Sequence, residues 1–197
     1  QRMQLQYMYS PINDVFARFD LGYLEEMFGG VGGEFLYRPF EENYSFGFSL
    51  HKVKQRGYKQ MFSFKKYETT TGHVNFYYDF PFGVTSAVSV GKYLAGDKGV
   101  TLDLSRRYQS GFTLGVFATK TNLSAEEFGE GSFDKGFYLS IPTSMFYSDF
   151  RTGNITFGLH PLTKDGGSRL IQHNQLYGIL ADTNERSLLR DWSDLLR

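Results

Sequence analysis

Tyr44-Ser45-Phe46-Gly47-Phe48-Ser49-Leu50-His51 alternates an aromatic residue or leucine with a small or polar one at every step. His73-Val74-Asn75-Phe76-Tyr77-Tyr78-Asp79-Phe80 repeats the pattern, with Val74, Phe76, Tyr78 and Phe80 on one side. His73, Asn75, Tyr77 and Asp79 fall on the other side. A period of two sends successive side chains to opposite faces of an extended chain. Both stretches therefore predict strands with one apolar and one polar face.

The same period runs outward in both directions. Met3, Leu5, Tyr7 and Tyr9 alternate with Gln4 and Gln6, and Ala17, Phe19 and Leu21 alternate with Arg18 and Asp20. Phe35 and Tyr37 lie between Glu34 and Arg38. Further strands fit Val84–Tyr93, Val100–Arg107, Phe112–Thr119, Gly136–Ile141 and Ile155–His160, with a weaker one at Ile171–Ile179. The expectation is an all-β, antiparallel, up-and-down sheet of about ten to twelve strands over residues 1–180. In a soluble barrel or sandwich the Ser/Gly/Thr/Asn face would be the solvated exterior; in an outer-membrane barrel it lines the lumen and the aromatic face meets lipid. Periodicity is compatible with either.

Composition narrows the choice. Of 197 residues, 20 are Phe, 14 Tyr and 22 Gly, which suits strands better than helices. Lys+Arg and Asp+Glu are 21 each, so no basic surface favours nucleic acid. Cysteine is absent, and the histidines are scattered, so a disulfide framework is excluded and neither metal nor other cofactor is expected. No segment approaches the ~20 apolar residues of a membrane helix. A mean hydropathy of −0.37 still suits barrel strands, which are apolar on one side only. The chain opens on Gln1 rather than Met, which reads as a processing boundary.

The connections favour the membrane reading. Short turns are expected near Ser10–Asn13, Glu41–Asn43, Pro81–Gly83 and Gln109–Gly111. Longer loops are expected near Glu25–Gly30, Gln55–Thr69, Ala95–Gly99, Asn122–Asp134 and Thr163–Arg169. Short periplasmic turns alternating with long extracellular loops are the habit of an up-and-down barrel. An odd strand count with its start on the long-loop side would leave Met3–Tyr9 in need of a partner from elsewhere. Residues 181–197 are expected to form an amphipathic helix, with Leu188, Leu189, Trp192, Leu195 and Leu196 at helical spacing.

Candidate sites are few. Gly29-Gly30-Val31-Gly32-Gly33 lacks the Lys-Ser/Thr of a phosphate loop and reads as a tight turn and bulge. Glu126, Glu127, Glu130 and Asp134 form a carboxylate group that could contact an ion or a sugar, or order a loop over the barrel mouth. Asp103 and Arg107 share the polar face of one strand, and Arg18, Asp20, Glu34 and Arg38 the polar faces of two others. Such balanced charges predict cross-strand pairs. Glu25 and Glu26, after the second strand, complete the candidate polysaccharide or ion contacts. No nucleophile–base or metal-ligand spacing appears, so an enzyme is not expected.

Several runs resemble the YjbH family of exopolysaccharide-locus proteins, related to the GfcD proteins of group 4 capsule loci. They include Gly22-Tyr23-Leu24-Glu25-Glu26-Met27-Phe28-Gly29-Gly30-Val31-Gly32-Gly33-Glu34, Tyr37-Arg38-Pro39, Tyr93-Leu94-Ala95-Gly96-Asp97 and Thr101-Leu102-Asp103-Leu104-Ser105-Arg106-Arg107. Ser124-Ala125-Glu126-Glu127-Phe128-Gly129-Glu130-Gly131-Ser132-Phe133-Asp134-Lys135-Gly136 is as long as the first, and Pro161-Leu162-Thr163-Lys164-Asp165-Gly166-Gly167 is the last. The resemblance implies a bacterial outer-membrane protein, often a lipoprotein with its lipidated cysteine upstream, concerned with export or surface retention of a polysaccharide. It also implies that this chain is a C-terminal part. The expected partners are polysaccharide, outer-membrane lipid, and the upstream part of the same precursor or other proteins of the locus. The alternatives are a soluble carbohydrate-binding β-module and a polysaccharide-modifying enzyme.

Overall fold

A computed structural model describes residues 3–59, 62–124, 133–146, 153–159, 166–181, 183–185, 188, 189 and 192. Ten strands follow one another: β1 (Met3–Ile12), β2 (Val15–Tyr23), β3 (Phe28–Tyr37), β4 (Tyr44–Arg56), β5 (Phe64–Phe80), β6 (Val84–Lys92), β7 (Lys98–Arg107), β8 (Thr113–Thr121), β9 (Asp134–Pro142) and β10 (Asn154–Leu159). They form one antiparallel sheet in chain order, each strand paired with the next. A short helix, α1 (Leu176–Ile179), lies beyond them. Among the described residues no helix is long and apolar enough to cross a membrane.

The period of two sorts the sheet into two unlike faces. On the outer face Leu5, Phe19, Phe35, Phe46, Phe48, Val74, Phe76, Val90, Leu102, Val116, Phe137 and Phe157 are all exposed, Leu5 to 71% and Phe157 to 59%. On the inner face Arg18, Asp20, Glu34, Ser45, Ser49, His51, Thr71, His73, Asn75, Ser89, Thr101 and Thr119 are buried. A water-soluble sheet buries its apolar face, because removing that area from water is favourable by about 25 cal/mol per Å². Here the preference is reversed.

Several expectations are corrected. Ile171–Ile179 is not a strand; it is an irregular run ending in α1 and lies against the inner face, its amides of Ile171 and Leu176 taken by the carboxylates of Glu25 and Glu34. The sheet is not closed: among the described residues β1 pairs only with β2 and β10 only with β9. The expected loops Glu25–Gly30 and Gln55–Thr69 shrink to residues 24–27 and 57–63, because β3, β4 and β5 run further than their alternation suggests. The contrast between short and long connections is correspondingly weaker.

Gly29–Gly33 is not a turn but the middle of β3, in register with Leu50–Lys54 of β4. A Cβ on Gly32 would collide with the imidazole of His51 and the carbonyl of Leu50, so glycine there makes room for a buried ring. Of the expected tail helix only scattered residues are described. They include a helical bond from the amide of Leu188 to the carbonyl of Asn184, and an anchor from the amide of Glu185 to the carbonyl of Phe40.

Candidate functional site

Residues 166–181 cross the inner face of the sheet, and several of its polar clusters are built around them. A small apolar cluster of Leu24, Phe28, Val53, Leu94 and Leu170, with Met27 against it, pins the segment near the β2–β3 and β6–β7 connections. Beside it the amide of Gly167 donates to the buried carboxylate of Asp97 (2.9 Å), and the carbonyl of Ser168 accepts from Leu94 (2.9 Å). Arg169 reaches the strands themselves, donating to Ser89 (3.1 Å) and Asn75 (3.3 Å).

The densest group surrounds Arg18, which is 1% exposed. Its guanidinium pairs with Asp20 (3.1 Å) and with Glu34 (3.2 Å), the latter its register partner on β3. This is the cross-strand pairing that balanced charges predict. It also donates to the carbonyl of His173 (3.1 Å), to the carbonyl of Asn174 and to Oε1 of Gln172 (2.7 Å). Asp20 accepts from Gln6 (2.7 Å) and lies 3.1 Å from Nε2 of His51. A buried guanidinium is tolerable only when its donors find acceptors. Here two carboxylates supply some of them and the covering segment the rest.

Tyr177 of α1 anchors the other end. Its ring stacks on Tyr77 at 3.8 Å and 6°, its hydroxyl donates to Asp79 (2.9 Å), and the guanidinium of Arg38 lies over its ring at 4.6 Å. Arg38 also pairs with Asp79 (3.5 Å), which accepts from Thr85 (2.7 Å).

The candidate contacts are dispersed. Glu25 is buried; its carboxylate accepts from the amide of Ile171 (2.8 Å), and its carbonyl and that of Glu26 accept from Arg56 (3.1 and 3.3 Å). Burial pushes the Glu25 carboxyl above its ordinary range; the Ile171 amide opposes that shift and the charge of Glu26 adds to it. Glu26 itself is exposed. Asp103 and Arg107 lie on the inner face of β7, where Asp103 accepts from the hydroxyl of Tyr138 (3.0 Å) on β9. Asp134 opens β9 opposite Thr119. Glu126, Glu127 and Glu130 lie outside the described residues. Among the described residues no group of three or more His, Cys, Asp or Glu side chains could hold a metal ion.

Sequence reasoning missed His51, Tyr77, Asp79, Arg169 and Tyr177 as parts of the inner network. For His51, Tyr77 and Asp79 the signal was present, since each occupies the polar phase of its strand. Arg169 and Tyr177 sit in a segment with no periodicity to read.

The YjbH family model, described as exopolysaccharide biosynthesis protein YbjH, matches residues 1–182. The chain belongs to this family. It is 43% identical over 185 residues to the uncharacterized lipoprotein YjbH of Escherichia coli strain K12, which covers 91% of this chain. The match spans 26% of that relative's own length, so the chain corresponds to about a quarter of it. No solved structure matches the chain. The match takes in every strand and the covering segment up to Ala181, so the inner network lies within the YjbH region.

Proposed function

We propose that this chain forms part of the wall of an outer-membrane β-barrel that supports export or surface retention of an exopolysaccharide, and that it does so without catalysing a reaction itself. One observation carries the reading: the sheet exposes its Phe, Tyr, Leu and Val face and buries its Ser, Thr, Asn and charged face. Water penalises that arrangement and lipid rewards it, since a transmembrane strand faces lipid with apolar side chains and its lumen with polar ones. The YjbH family and its lipoprotein relative supply the link to exopolysaccharide and to a membrane.

That β1 and β10 have no second strand partner among the described residues fits the same reading. Unpaired strand N–H and C=O groups in hydrocarbon cost several kcal/mol each. Strands outside this chain, from the remainder of a longer precursor, would pair with both edges and complete the wall. Polysaccharide would meet the inner face or its rim, where hydroxyls, amides and tyrosines are concentrated.

Phe76→Arg in the full-length protein tests the reading. An arginine on the lipid face near the midplane costs about 2–4 kcal/mol, so the variant should assemble poorly in the outer membrane, and cell-surface exopolysaccharide should fall with it. A wild-type protein that stays folded and monodisperse in buffer without detergent would overturn the proposal.

A further inference from the structure

We propose that Lys92, Lys98, Lys120 and Lys135 form a seat for the phosphate groups of anionic lipid headgroups, on the outer face at one border of the apolar band. The inference rests on the membrane reading above and adds a ligand class and a place for it.

The register puts the four lysines together. Lys92 of β6 and Lys98 of β7 are direct cross-strand partners. Lys120 of β8 stands opposite Val100, which makes it the diagonal neighbour of Lys98. Lys135 of β9 stands opposite Ala118, which makes it the diagonal neighbour of Lys120. All four share the outward phase: each is two residues along its strand from Val90, Val100, Ala118 or Phe137, and all of those but Ala118 are large exposed apolar residues. The strip therefore runs diagonally across four neighbouring strands, two residues further along at each step from β7 to β9, at the border of the apolar band.

Like charges placed opposite each other on neighbouring strands are destabilising. Among the described residues no carboxylate lies within ion-pair distance of any of the four. Lys135 also lies over the ring of Phe133 at 4.8 Å, which leaves its charge in place. On the same face, one hairpin earlier, Lys52 has its own carboxylate, Glu68, at 3.0 Å. The acid nearest in sequence to Lys98, Asp97, is buried and bonded to Gly167. The opposite border carries Tyr37, Phe80 and Tyr108, with Arg106 over the Tyr108 ring, and has no comparable run of lysines.

A polar border of ammonium groups beside exposed valines matches an anionic lipid. Acyl chains would lie along Val90, Val100 and Val116, and headgroup phosphates would sit among the ammonium groups. Each basic side chain near an anionic membrane surface favours it by roughly fivefold.

The test uses the full-length protein in mild detergent, equilibrated with equal amounts of phosphatidylglycerol and phosphatidylcholine, with retained lipids counted by native mass spectrometry. The expected result is preferential retention of phosphatidylglycerol. K98Q should lower that preference about fivefold and K98Q/K120Q further, while K98R/K120R should keep it. Equal retention of the two lipids by the wild type, or a preference unchanged in K98Q/K120Q, would overturn this inference and leave the membrane reading standing. Retention of neither lipid would overturn the membrane reading and this inference with it.

Discussion

Strands β1 to β5 and strands β7 to β10 wear the same apolar outer face but hold different interiors. The first group buries Arg18, Asp20, Glu34, Arg38 and His51, and over them lies the segment from Gln172 to Ala181. The second group carries mostly hydroxyls, with Thr101 bonded to Thr119 (2.8 Å) and Tyr138 bonded to Asp103. The difference follows from desolvation. A buried charge needs several partners, and a strand wall alone offers too few for a guanidinium. Charges are therefore concentrated where the covering segment supplies backbone carbonyls and amides. Where no cover is described, hydroxyls suffice, since they can bond one another or water.

The sharpest way to break this contrast is to remove the charge that joins wall to segment. Arg18→Met should destabilise the fold by about 3–5 kcal/mol, because it strands two buried carboxylates. Hydrogen exchange should quicken first across residues 166–181. Unchanged protection there would mean that the segment is held by its apolar contacts alone.

Tyr177→Ala is the next test. It removes a stacked ring pair worth about 0.5–1.5 kcal/mol beyond its area and frees Asp79 and Arg38, but leaves the Arg18 cluster intact. Protection should fall at residues 175–181 and persist at 170–174. On the other side, Asp103→Ala removes a single hydrogen bond from Tyr138 and should cost about 1 kcal/mol in thermal unfolding. A loss as large as that of Arg18→Met would erase the distinction between the halves.

The smallest expected effect is a pH dependence at Glu25. Its folded-state carboxyl titrates above its ordinary value of 4.5, so its contribution is fully present below that value and is lost as pH rises through the folded value. The Ile171 amide should therefore be somewhat better protected on the acid side of this window than at neutral pH. Glu25→Gln, which keeps an acceptor and cannot ionise, should flatten that part of the profile.

How much of this was legible differs by region for a physical reason. Strand residues obey the pleat, so Phe46, Phe48, Val74 and Phe76 announced their shared face, and Arg18 and Glu34 announced theirs. Gly29–Gly33 misled, because glycine serves turns and close approaches equally; the need at Gly32 is set by His51, nineteen positions away on the next strand. The covering segment reads in the sequence as a weak further strand. Its bonds are to side chains from distant strands, and no local pattern encodes them. Glu25 stands in the sequence as a candidate polysaccharide or ion contact; its neighbours in space, Ile171 and Arg56, give it a clamping role that no local pattern announces.

The central claim is that the apolar face of this inverted sheet meets lipid. Nitroxide labels placed singly at Val74, Asn75, Phe76 and Tyr77 of the full-length protein in bilayers report it residue by residue. Collision with dissolved oxygen, which concentrates in hydrocarbon, is compared with collision with a water-soluble nickel chelate. The account predicts high oxygen and low nickel accessibility at 74 and 76, and low oxygen accessibility at 75 and 77, in strict alternation. High nickel accessibility at 74 and 76 would place that face in water and contradict the account.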